Sequence, residues 1–433
     1  MKPAASAGQF LASARSRLLP ASIPLRFFGA AVVFHLLAWL ALLPGAQALP
    51  RFDGGLGWPL AALHLITLGV LVMSAIGASL QLLPVATRQP VRWQRAPALV
   101  WWLYLPGVAA VTLGMGLGLT PLLGAGAVLV LLALTLFAWL LAANLRGAQG
   151  MPAVVVHGWA ALACLLGVLF SAAALVAGWL GWTLLPRATA LALHLPLATF
   201  GFMGLLALGL SYILVPMFAL AVTPDERQAL QSASLAIAGL VLAGLAAAGL
   251  APRPLRLLAL GLGAAAIGLH LRLMVQALRS GMRRQLGPSF VLVRLAWGML
   301  VLSLALALAL VLQAPLAGLP ALFSLVLVGG WLLSFVLGML QRILPFLVSM
   351  HLAGRGRRAP TPSALTAERW LVLHARCHLL ALPGLALAIG FDSPVLGLAA
   401  ATVGGLGGLA LAGFFVELLR RMRAPVAPTA PAD

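Results

Sequence analysis

The chain has 433 residues, of which 63% are hydrophobic and 8% charged, with 27 Lys and Arg against 7 Asp and Glu, a net charge of +20. A mean hydropathy of +1.10 excludes a soluble globular domain. The positive charge is no nucleic-acid signature, because the arginines punctuate apolar runs and no basic segment interleaved with aromatics stands outside them.

Residues 1–24 read as a basic cytoplasmic tail with a short interfacial helix, lacking a signal-peptide pattern. Apolar runs follow at roughly 25–45, 60–84, 97–118, 122–145, 153–181 and 189–220. Six more follow at roughly 230–251, 255–279, 289–312, 318–349, 368–390 and 394–419, and 422–433 is a second tail. Each run is rich in Leu and Ala and is long enough to cross about 30 Å of hydrocarbon as a helix. The predicted fold class is therefore all-α and polytopic, a single twelve-helix domain over 25–421 in contact with the lipid bilayer.

Basic residues divide unequally between alternate loops. Arg15, Arg17, Arg88, Arg92, Arg95, Arg146, Arg227, Arg283, Arg284, Arg355, Arg357, Arg358, Arg420, Arg421 and Arg423 fall on one side. Arg51, Arg187, Arg253 and Arg256 fall on the other. The positive-inside rule then predicts an inner-membrane protein with both termini cytoplasmic. The tryptophans near span ends, such as Trp101, Trp102, Trp179 and Trp182, read as interfacial belts. Cys164 and Cys377 lie inside apolar runs far apart, so neither a disulfide framework nor a CxxC metal pair is expected.

One frame occurs three times. Gly69, Gly77 and Pro84 are spaced by eight and seven residues, as are Gly201, Gly209 and Pro216, and again Gly330, Gly338 and Pro345. Two aliphatic residues precede each proline. The copies fall on the second, sixth and tenth runs, which predicts three four-helix units over about 25–146, 153–281 and 289–421. Small residues at this spacing let helices approach closely in lipid.

Histidines carry the chemistry. An imidazole within lipid is costly and is a functional candidate by default. His64 precedes Pro84 by 20 residues and His194 precedes Pro216 by 22, giving near-equivalent depths in two frames. Neutral imidazole is a good heme-iron ligand, and paired histidine coordination favours electron transfer over substrate chemistry. One b-type heme between the second and sixth runs, with His64 and His194 as axial ligands, is the expected cofactor site; a hydrogen-bonded structural role is the alternative. His374 and His378, four apart on one helical face, are candidate ligands for copper or another transition metal, or a second heme. His35 and His270 lie mid-run, where each could meet a histidine of another span. His157 and His351 read as interfacial, and Gln341 and Arg342 as a snorkelling anchor. The seven carboxylates all fall in loops or near span ends, which disfavours a carboxylate-based proton pump or symporter.

Twelve helices in three pseudo-repeats of four, with a histidine entering the second and sixth spans, resembles subunit I of the heme-copper oxidases and nitric-oxide reductases. LSYILVPMFALA and MLQRILPFLVSMH resemble short bacterial relatives of that superfamily, including the NnrS-like group. The resemblance implies heme, electron transfer or nitric-oxide and oxygen sensing, and a cytochrome or quinol electron donor. It also has gaps. The tenth span carries Phe323, Ser324 and Leu325 at the depth where the oxidases place histidines. The seventh span lacks the copper-binding histidine pair, and Ala198 stands where a catalytic tyrosine is expected. A complete binuclear centre is therefore not expected. A transporter or channel for a small solute or metal, and a cofactor-free assembly factor derived from an oxidase, remain the competing classes.

Overall fold

A computed structural model describes residues 19–91, 93, 95–283, 285–354 and 360–423. Most of the basic tail, Arg92, Arg284, Arg355, Arg357, Arg358 and most of 422–433 lie outside the described residues. Twelve helices among them are long and apolar enough to cross a membrane. They are α1 (Ser22–Gly45), α2 (Trp58–Ala86), α3 (Ala96–Leu117), α4 (Thr120–Arg146), α5 (Pro152–Trp179) and α6 (Arg187–Ala219). Then come α7 (Glu226–Ala247), α8 (Pro252–Ser280), α9 (Gly287–Val311), α10 (Leu319–Ala353), α11 (Glu368–Gly390) and α12 (Pro394–Arg423). The hydropathy pattern located every one of them, because in lipid each backbone N–H and C=O must be satisfied within its own segment.

Short connections force an up-and-down order, and cross-ties define two sides. On the far side, Arg187 Nη2 donates to the Gly54 carbonyl at 2.9 Å, and Arg51 pairs with Asp392 at 2.7 Å. The left-handed Gly318 (φ 66°) lies there too, too close to Ile389 to accept a side chain. On the side where α1 begins and α12 ends, Ala153 N–H donates to Glu226 Oε1 at 2.6 Å, and Arg421 donates to the Ala364 carbonyl at 2.9 Å.

Burial singles out three helices. The most apolar stretches of α2, α6 and α10 are 72%, 89% and 78% buried, whereas no other span exceeds 56%. These three carry the glycine–proline frames, and the glycines serve one purpose in all of them. A Cβ on Gly69 would stand 2.6 Å from the Phe34 side chain, and Gly77 receives Phe27 and Phe28, all on α1. Gly201 receives Cys164 and Gly209 receives His157, both on α5. Gly330 receives Met299 and Gly338 receives Ser289 and Val293, all on α9. In each case the preceding helix sinks its side chains into the frame, the close approach that small residues permit.

A second shared feature was absent from the expectations. α2, α6 and α10 each widen into a π-helical stretch at Leu65–Val72, Leu197–Gly204 and Leu325–Leu333. The wider turn displaces carbonyls from the usual ladder, and side chains take them up. Tyr104 donates to the Leu68 carbonyl at 3.0 Å, and Ser334 donates back five residues to Gly329 at 3.1 Å. The π stretch of α10 packs on those of α2 and α6, with the rings of Phe200 and Trp331 5.4 Å apart.

Candidate functional site

Near the far side, a cavity of about 790 Å³ opens beside these π stretches, with α2 and α6 both on its wall. Its lining is almost wholly aliphatic and aromatic, and a volume of roughly 300–1,000 Å³ is typical of cofactor-sized sites. Asp53, Arg187 and Arg256 stand among its few charged lining residues. His64 and His194, expected at near-equal depths in two frames, both line it.

Each ring is tethered at one nitrogen. The Nδ1–H of His64 donates to the Leu60 carbonyl one turn back, at 3.0 Å. Ser171 on α5 gives its hydroxyl proton to the Gly167 carbonyl at 2.9 Å, so its oxygen accepts from Nδ1 of His194 at 3.3 Å. With Nδ1 protonated in both residues, each Nε2 presents a bare lone pair. That tautomer is what an iron ligand requires. Of the remaining polar lining, Thr67 and Thr199 sit on the same two helices and Ser324 on α10. Thr199 spends its hydroxyl proton on the Leu195 carbonyl at 2.7 Å.

Five of the other six histidines gather in two buried groups elsewhere, and His351 stands half-buried near the end of α10. His35 on α1 meets His374 and His378 on α11. The rings of His35 and His374 are 5.7 Å apart, and those of His374 and His378 are 5.9 Å apart and nearly parallel. Gln341 on α10 reaches His374 Nδ1 at 3.0 Å, so this residue is a buried partner and not the snorkelling anchor expected of it. Its neighbour Arg342 donates to Ser289 Oγ at 2.7 Å and covers the ring of Phe290. Arg376 lies on the exposed face of α11, away from both histidines.

The second group lies between α5, α6 and α8. His270 Nδ1 is 3.0 Å from the Tyr212 hydroxyl, and the ring of Tyr212 lies 5.6 Å from that of His157. His157 was expected at the interface; it is 1% exposed, held against Gly209 with its Nδ1–H on the Ala153 carbonyl at 2.7 Å. One sequence signal pointed to both groups: Tyr212 and Gln341 each stand four residues before a frame proline. Among the described residues, no three His, Cys, Asp or Glu side chains already converge as ligands of one metal ion.

No protein-family model and no curated protein sequence matches this chain. Among solved structures, it is similar to a heme-copper terminal oxidase dimer determined by cryo-electron microscopy. The TM-score is 0.54 at 13% identity, covering 93% of this chain and 84% of the oxidase chain. The protein is thus a multi-pass membrane protein with a twelve-helix fold like that of heme-copper oxidase subunit I.

Proposed function

We propose that this protein binds one b-type heme in the cavity between α2 and α6, with His64 and His194 as axial ligands, and uses it for membrane electron transfer. The observation that carries this reading is the matched preparation of the two imidazoles. Both line one apolar cavity, both hold Nδ1–H in a hydrogen bond, and both leave Nε2 as a lone pair. An apolar wall suits a porphyrin face, and the guanidinium groups of Arg187 and Arg256 suit its carboxylates. When bound, such a group supplies a one-electron couple whose potential is tuned by ligands and burial. Two protein ligands leave no open iron position, so electron transfer is favoured over nitric-oxide or oxygen chemistry at this site.

The three glycine–proline frames, each receiving its preceding helix, support a chain built from three four-helix units. The arginine asymmetry supports an inner-membrane setting with both termini cytoplasmic, and a cytochrome or quinol is the expected donor. The test is a pyridine hemochrome assay with reduced-minus-oxidised spectra on protein produced with ample heme. Sharp b-type bands are expected in the native chain and are lost in His64→Ala and His194→Ala. A colourless native protein overturns the reading and leaves the transport or scaffold classes.

A further inference from the structure

Helices α8 and α9 form a hairpin closed by the short connection 281–286. Their most apolar stretches are only 28% and 33% buried, so both present a broad face to lipid. Each face carries an arginine well inside the span. Arg272 stands eight residues before the end of α8 at Ser280, and Arg294 stands seven residues after the start of α9 at Gly287. At about 1.5 Å per residue, they lie about 12 Å and about 10 Å from the ends that the connection joins. The depths match on two helices in contact. Arg279 shares the face of Arg272, two turns nearer the connection, and all three arginines are exposed.

Their neighbours on these faces are aliphatic. Val275, between Arg272 and Arg279, is exposed, as are Val291 and Val301 on either side of Arg294. The opposite faces hold the packing: Leu273, Met274 and Ala277 on α8, and Val293, Ala296 and Trp297 on α9. An arginine on a lipid-facing surface is costly and is tolerated where its head reaches the phosphate layer.

The chain offers these guanidinium groups no counter-charge. Among the described residues the ion pairs are Arg51 with Asp392, and Arg369 and Arg421 with Glu417. Glu226 and Glu368 are the first residues of their helices. Glu417, set deeper in α12, already accepts from Arg369, Arg421 and the Trp370 indole. A second copy of this chain would therefore bring arginine against arginine at this depth. An anionic phospholipid supplies both halves of the match. Its phosphate oxygens accept paired N–H···O bonds from guanidinium, and its acyl chains cover the valines.

We propose that Arg272, Arg279 and Arg294 form a binding site for the phosphate headgroup of an anionic phospholipid, in the leaflet on the side where α1 begins. The acyl chains lie along the valine-bearing faces of α8 and α9. A zwitterionic lipid carries the same phosphate with its own ammonium group, so selection is by net charge.

The experiment equilibrates the purified full chain with equal amounts of phosphatidylglycerol and phosphatidylcholine in mild detergent, and native mass spectrometry counts each lipid retained. Phosphatidylglycerol is expected in preference. In the Arg272→Gln, Arg294→Gln double variant that preference should fall at least about fivefold, since each arginine near the phosphate layer contributes about that factor. Phosphatidylglycerol should also raise the Tm of the native chain more than that of the double variant. In phosphatidylcholine alone the variant should melt no lower than the native chain. Arg253→Gln, at the other end of α8, should leave the preference unchanged. Equal retention of the two lipids, an undiminished preference in the double variant, or the same loss in Arg253→Gln would each overturn the assignment. So would a double variant that loses an oligomer while keeping its lipid preference, which makes the face a protein interface. If the double variant does not fold, Arg294→Gln alone decides by the same count. None of these readouts depends on heme.

Discussion

Gly209 of α6 lies directly beneath His157 of α5: a methyl group on the glycine would stand 2.6 Å from the histidine Cβ. The same histidine faces Tyr212, which holds His270 on α8. One missing side chain therefore sets the position of three ring systems on three helices.

Gly209→Ala should consequently lower stability by about 1–3 kcal/mol, the usual cost of overpacking a filled interior. Gly244→Ala, on α7 with nothing within 4 Å of the added carbon, should be neutral or slightly stabilising. Thermal unfolding of both variants in the same detergent checks the contrast, and equal losses would contradict the packing described.

Ser171→Ala removes the acceptor that orients His194 while leaving both proposed axial ligands in place. Heme affinity should fall about 10- to 100-fold, as for other supporting hydrogen bonds to ligand histidines. Heme titration with absorbance detection measures it. An unchanged affinity would show that this hydrogen bond contributes nothing to the site.

Tyr212→Phe leaves His270 Nδ1 buried without its hydroxyl partner. A loss of about 1–3 kcal/mol is expected, since an unsatisfied buried polar atom retains its full desolvation cost. Chemical denaturation in mixed micelles, followed by tryptophan fluorescence, reads the change.

Asp392→Asn breaks the pair with Arg51 on the far side. The hydrogen bond and charge of Asp392 raise the Arg51 pKa above its ordinary value, yet that guanidinium is already fully charged across the physiological range. Both side chains are more than half exposed, so neither melting temperature nor its pH dependence near neutrality should move measurably.

Much of the fold was legible in the residues because lipid imposes a single rule on every span. The expected run at 368–390 coincides with α11, and 153–181 differs from α5 by one residue at its start and two at its end. The glycine–proline frames were legible as a pattern, and their close-packing role followed from the absence of a side chain. The π stretches were not: composition carries no information about whether a carbonyl is bonded four or five residues on. Nor were the partners of Gln341 and His157. Gln341 meets a histidine 33 positions away, and His157 faces a tyrosine 55 positions away. Those pairings depend on which helices become neighbours. That His64 and His194 line one cavity follows from their near-equal depths in two frames.

The frames and the histidines occupy different stations along the same helices. At Gly69, Gly77, Gly201 and Gly209 the preceding helix is received, while His64 and His194 stand just before the π stretches that hold Gly69 and Gly201. At the third such station, Phe323 and Ser324 take the place and also line the cavity. Close packing and the cavity-lining histidines are thus set by separate residues of the same span. A substitution at His64 or His194 therefore leaves in place the glycine contacts that hold the scaffold together.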